Sequence, residues 1–221
     1  MSYQNVLEAV TFGPQENAEA APKNIVVFLH GVGADKNDLI ELAPLFADAL
    51  PNTLFISPDA PFAFDMAPFG RQWFSLQDRD PAVMRQGAEE ASGHLNAFLD
   101  AVLETYDLPA AKLAVVGFSQ GTMTGLYTLI RRDVPVAGFV GYSGMLLAEE
   151  ATPDQDVDKF PIRLIHGQDD DVVPAVLSQD GAEKLKSWGY DIDAYYQPGL
   201  GHGIDPEGIA LAKEFLVNKL K

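Results

Sequence analysis

The sequence predicts an α/β fold: a mostly parallel central sheet with helices on both faces and no separate lid domain. Three observations carry that prediction. Six short apolar runs recur along the chain, stretches with helical spacing separate them, and the runs end at glycine or proline. An uninterrupted apolar run is what a strand buried on both faces requires, and alternation with helices is the pattern of parallel strands joined by crossovers.

The elements follow in order. Residues 3–12, YQNVLEAVTF, read as an early strand, antiparallel at the sheet edge. NIVVFLHG (24–31) is the first core strand, and helical spacing follows over 36–50. The next strand is TLFISP (53–58). Residues 60–84, APFAFDMAPFGRQWFSLQDRDPAVM, are rich in Pro, Gly and aromatics and are long for a connector, which points to a functional loop. Further strands are expected over 112–118, 136–142, 162–167 and 193–197, and helices over 89–106, 121–132, 178–189 and 206–220. The stretch LLAEEATPDQDVDKF (146–160) reads as a solvated acidic loop.

Composition narrows the function. The 221 residues, 47% hydrophobic and 21% charged, suit a single domain spanning 1–221 with a continuous core. A formal net charge of −17, from 32 acidic and 15 basic residues, repels phosphate backbones and anionic lipid. Neither nucleic acid nor a stable membrane association is therefore expected. There is no cysteine, which removes disulfides, thiolate nucleophiles and Cys-ligated metals, and the four histidines show no metal-binding spacing. The N-terminal residues lack a basic start followed by an apolar core, and no apolar run approaches the roughly 20 residues of a membrane span. The expected location is cytoplasmic.

Two glycine-bearing turns compete as the functional centre. FLHGVGAD follows a strand and precedes helical spacing, as a dinucleotide-binding loop would. Gly31 and Gly33 fit the first two glycines of that fingerprint, but Lys36 stands where the third is needed for close helix packing. The better reading is a loop whose amides point into a pocket. VVGFSQGTM (115–123) is the second turn, with Ser119 between Gly117 and Gly121. A serine there reads either as a helix N-cap or as a nucleophile exposed on a strained strand-to-helix elbow. The downstream sequence decides. A serine hydroxyl needs a base and an orienting acid, in the order Ser, acid, His. HGQDDDVVP supplies Asp169, Asp170 and Asp171 just past one strand, and PGLGHG supplies His202 just past the next. Both fall where the carboxyl ends of parallel strands gather.

FLHGVG, GFSQG, HGQDDDVVP and PGLGHG, with QWF between, resemble the phospholipase/carboxylesterase family, which includes acyl-protein thioesterases. The resemblance runs from about Asn24 to the C-terminus. It implies an α/β-hydrolase fold that cleaves carboxylic esters and thioesters without a cofactor or metal. Ser119 then corresponds to the nucleophile, and His202 to the base. The pattern H-G-x-x-D-x-x-V-P, laid on His166, Gly167, Val173 and Pro174, selects Asp170 as the acid. The backbone N–H of Gln120, directly after the nucleophile, is one expected oxyanion donor, and the resemblance places the second at Val32. Two departures stand near the pocket: Thr122 where the family has glycine, and Ala34 where it has aspartate.

The remaining candidates are weighed on context. His30 and His166 each precede a glycine at a strand end and are expected to fix loop backbone. His94 lies in a helical stretch, and Ser143 lacks the following x-G of an elbow. Trp73, Phe74, Phe69 and Met66 are expected to line an acyl-binding wall, the alternative being plain core. The expected function is a carboxylesterase for small or medium acyl chains, acting through an acyl-enzyme. The alternatives are an acyl-protein thioesterase or lysophospholipase and, from another class, a catalytically inactive hydrolase-fold binding protein. The expected partner is a small-molecule ester or thioester, and a homodimer is compatible with this reading.

Overall fold

The computed structural model describes residues 2–14, 21–148 and 158–220. Its main sheet is built from β1 (Ala9–Phe12), β2 (Asn24–Leu29), β3 (Thr53–Pro58), β6 (Leu113–Phe118), β7 (Gly138–Tyr142), β8 (Ile162–Gly167) and β9 (Ile192–Gln197). A two-stranded hairpin, β4 (Phe62–Ala63) with β5 (Arg71–Gln72), lies within the aromatic segment. The spatial order of the seven strands is β1-β3-β2-β6-β7-β8-β9, and only the β1 pairing, Ala9 opposite Pro58, is antiparallel. This is the mostly parallel sheet of an α/β-hydrolase.

The apolar runs explain the layers. Along β2, Ile25, Val27 and Leu29 enter one core and Val26 and Phe28 the other, because successive side chains leave a strand on opposite faces. The first core is closed by α2 (Pro81–Tyr106), α3 (Gln120–Leu129) and α4 (Ala175–Ser187). The second is closed by α1 (Ala43–Ala47) and α5 (Pro206–Lys219). No helix among the described residues is long and apolar enough to cross a membrane.

Topology decides where a site can form. The chain leaves β2 outward to β3, then returns across the sheet to β6 on the other side of β2. That reversal opens a crevice at the carboxyl ends of β2 and β6, the place where open α/β sheets bind ligands. The loop after β2 and the turn holding Ser119 border it.

Three sequence expectations change. The early strand shortens to β1, with Tyr3–Asn5 forming a 3₁₀ turn. The helix expected over 36–50 is a 3₁₀ turn at Leu39–Leu42 followed by the short α1. Asp35 accepts a hydrogen bond from the Asn37 N–H at 2.8 Å, so a local side-chain turn competes with helix there. Helix α2 begins at Pro81 rather than 89 and runs for 26 residues; the Asp80 carboxylate caps it by accepting from the Ala82 N–H at 2.8 Å. Its buried face runs Met84, Ala88, Ala91, Leu95, Phe98, Leu99, Val102, an unbroken helical stripe. Of the expected acidic loop, residues 149–157 lie outside the described residues.

Candidate active site

The turn after β6 has no space for side chains at its two glycines. A Cβ on Gly121 would sit 2.0 Å from the Leu29 carbonyl oxygen, and one on Gly117 would sit 2.7 Å from the Gly121 backbone. Helix α3 can therefore start tight against β2 and β6. Ser119 is left at the corner with φ 53° and ψ −116°, a conformation that costs a non-glycine residue roughly 1–3 kcal/mol. Its backbone N–H donates to the Tyr142 carbonyl at 2.9 Å. Ser119 occupies the N-cap position of α3, yet its hydroxyl makes no capping hydrogen bond.

That hydroxyl faces a histidine. Ser119 Oγ is 3.1 Å from His202 Nε2, and His202 Nδ1 is 2.8 Å from Asp170 Oδ2. The Phe118 ring lies 4.9 Å from the His202 ring, centroid to centroid, and supports its face. Asp170 is buried, whereas Asp169 and Asp171 are exposed. Its Oδ1 accepts the N–H groups of Val172 at 2.9 Å and Val173 at 2.8 Å. Burial pushes this carboxyl up, but the bonds from Val173, His202 and Val172 outweigh it and hold it below its ordinary range.

Two of the other histidines, His166 and His30, are placed as loop braces. His166 is buried, and its Nε2–H donates to the Val173 carbonyl at 2.8 Å while lying 3.1 Å from Asp170 Oδ2. His30 Nε2 accepts the Ala60 N–H at 3.0 Å, so its proton sits on Nδ1, 2.7 Å from the Gly31 carbonyl. Burial lowers the pKa of both rings, keeping them neutral donors or acceptors. His94 is exposed, edge-on to Phe62. Ser143 is buried with φ 46°, and its hydroxyl is 3.5 Å from the Gly203 carbonyl. Thr122 points into the packing between α3 and β7, donating to the Tyr142 carbonyl at 2.7 Å.

The loop carrying Val32 is clamped by the aromatic hairpin. Gly33 N–H donates to the Arg71 carbonyl at 2.8 Å, and Arg71 N–H donates to the Ala34 carbonyl at 2.7 Å. No hydrogen bond among the described residues occupies the N–H of Val32 or Gln120. Sequence reasoning missed this clamp. Its bonds are between main-chain atoms nearly forty residues apart, and nothing in the side-chain pattern encodes them.

The four residues expected to form an acyl wall are not brought together. Trp73 is fully buried in the core, and its Nε1–H donates to the His30 carbonyl at 3.0 Å. A ring with no exposed surface cannot present a wall, so its assignment is corrected to core. Phe74 is likewise buried in that core. Met66 and Phe69 sit at the hairpin tip, 66% and 74% exposed. Trp73→Ala is accordingly expected to lower stability by about 3–5 kcal/mol in urea unfolding, as other large-to-small core changes do. An unchanged midpoint would put Trp73 back at a surface.

The comparisons with known proteins agree with this architecture. Residues 15–220 match the phospholipase/carboxylesterase family model. The chain belongs to the phospholipase/carboxylesterase family. Acyl-protein thioesterase 1 of Neurospora crassa is 28% identical over 212 residues, covering 88% of this chain and 86% of that protein. Acyl-protein thioesterase 1 homolog 1 of Dictyostelium discoideum is 28% identical over 207 residues, with 88% and 90% covered. The crystal structure of esterase PE8 is 36% identical, covers 97% of this chain and 99% of its own, and superposes with a TM-score of 0.87. The Bacillus cereus carboxylesterase, 16% identical with 99% and 98% covered and a TM-score of 0.79, shares the fold.

Proposed function

We propose that this family member is a serine hydrolase that cleaves carboxylic esters of small or medium acyl chains through an acyl-enzyme intermediate. The observation carrying the reading is the continuous hydrogen-bonded line from Ser119 Oγ through His202 to Asp170. In the first half-reaction Ser119 Oγ attacks the ester carbonyl while His202 Nε2 takes its proton. The oxyanion is held by the N–H groups of Val32 and Gln120 at the start of α3, where the helix dipole adds positive potential. His202 then returns the proton to the departing alcohol. In the second half-reaction His202 activates water, which attacks the acyl-enzyme and frees Ser119. Asp170 keeps the Nδ1–H tautomer in place and stabilises the imidazolium formed in each half.

The second reading, an acyl-protein thioesterase, uses the same groups on a better leaving group. It is favoured by the names of the two relatives at 28% identity, while the name of the 36% identical structure favours an ester. Exposed Met66 and Phe69 are the residues we assign to acyl contact, since they lie on the hairpin that grips the Val32 loop. A panel of aryl esters of graded acyl length, run beside a palmitoyl thioester, separates the readings. The expected result is the highest kcat/KM on a short or medium ester. A preference for the palmitoyl thioester would select the second reading. Absence of turnover on every substrate would leave a binding protein on an inactive fold.

A further inference from the structure

We infer that the Gln120 side chain is a positioning residue that fixes the separation between the two oxyanion amides. The inference rests on the serine-hydrolase reading above and assigns a role to a side chain that the reading leaves unused.

Gln120 is 1% exposed, so its amide must find partners inside the protein. Its Oε1 accepts the Trp73 N–H at 2.8 Å, and its Nε2 donates to the Phe74 carbonyl at 2.7 Å. One side chain thus grips two consecutive residues of the aromatic segment through a main-chain donor and a main-chain acceptor. That segment in turn holds the Val32 loop on both flanks. On one flank the Trp73 indole N–H donates to the His30 carbonyl. On the other, Arg71 exchanges backbone bonds with Gly33 and Ala34. Gly70 closes the contact: a Cβ there would lie 2.1 Å from the Gly33 carbonyl oxygen. Arg71 is held by its own guanidinium, which donates to the Ala60 carbonyl at 2.9 Å and the Pro61 carbonyl at 2.8 Å.

The path is short and closed. The Gln120 amide next to Ser119 and the Val32 amide across the crevice belong to different loops, after β6 and after β2. The Gln120 side chain ties the first loop to residues 73–74, and residues 71–73 tie that segment to the second. Every link is a hydrogen bond between groups buried or half-buried, where geometry is held more tightly than at a solvated surface. A misplacement of about 1 Å at such a donor costs on the order of 100-fold in rate.

The test compares Gln120→Leu, which keeps the size and the backbone N–H but loses both side-chain bonds, with Gln120→Glu, which keeps the Oε1 acceptor alone. Steady-state kinetics on an aryl ester are run beside binding of an aryl trifluoromethyl ketone, whose serine adduct carries the oxyanion. Gln120→Leu is expected to lower kcat between about tenfold and 100-fold with KM within about twofold, the signature of a contact made only in the transition state. Ketone affinity falls by the same factor, and Gln120→Glu lies between. A leucine variant with unchanged kcat and ketone affinity overturns the inference. So does a lowered melting temperature with folded-state ketone affinity intact, which would make the side chain merely structural. Should the leucine variant fail to fold, Gln120→Glu carries the same comparison alone. Failure of the unsubstituted protein to hydrolyse esters or bind the ketone would instead strike the serine-hydrolase reading itself.

Discussion

Replacing Ser119 with alanine is expected to remove turnover almost entirely while leaving the protein folded. Loss of the serine in a comparable triad costs about 10⁶ in kcat, because the three groups act as a unit. The competing role, a helix N-cap, predicts a loss of about 1 kcal/mol of stability with chemistry spared. The structure bears on that choice: the hydroxyl makes no cap bond to α3 and lies 3.1 Å from His202 Nε2. The check has two arms. A fluorophosphonate probe is expected to label the unsubstituted protein at Ser119 alone, read by peptide mapping, and the alanine variant is expected to take no label. Labelling at Ser143, or appreciable hydrolysis by the alanine variant at an unchanged melting temperature, would defeat the assignment.

Asp170→Asn carries the next largest effect, and the mechanism of the loss can be read from the donors around the carboxylate. Two backbone N–H groups, from Val172 and Val173, converge on Oδ1. In the variant they fix the amide oxygen on that side. The new NH₂ must then occupy the Oδ2 position, 2.8 Å from His202 Nδ1. A donor there forces Nδ1 to accept, so the ring proton moves to Nε2, the nitrogen that has to take a proton from Ser119. The same exchange in a serine protease triad lowers kcat about 10⁴-fold by this change of tautomer. Asp169→Asn and Asp171→Asn, at exposed positions, are expected to stay within a few-fold of the parent. Measured kcat for the three variants decides it, and a greater sensitivity at Asp169 or Asp171 would show the acid misassigned.

Much of the sheet was legible because its central strands are buried on both faces and so are mostly apolar. NIVVFL, LAVVGF and IRLIHG announce β2, β6 and β8 within a residue or two. Helix α2 was read eight residues too short, since Pro81 follows an aromatic-rich loop that masks the Asp80-Pro81 start signal. The choice among Asp169, Asp170 and Asp171 was beyond spacing alone. Burial separates them, and burial depends on how β8 and the following turn pack, which no local pattern states. The aromatic hairpin was misread in part for the opposite reason. Composition cannot distinguish a ring that walls a pocket from one that fills the core, and Trp73 does the latter while Met66 and Phe69 stand outside. The bonds from Gln120 to residues 73 and 74 leave no trace in the sequence, because any residue but proline would offer the same main-chain atoms.

The backbone of Ser119 has a bearing on how this chain would change under selection. A residue at φ 53° and ψ −116° is easier for glycine than for any side chain, and small shifts toward glycine there would relieve strain. In a lineage kept only to bind a ligand, drift is therefore biased toward losing the serine, since most lineages sit just above a stability threshold and a relieving mutation is seldom purged. A hydrolase-fold protein that had abandoned chemistry would tend to lose this residue early. Here the hydroxyl stands at a position where glycine would relieve the backbone.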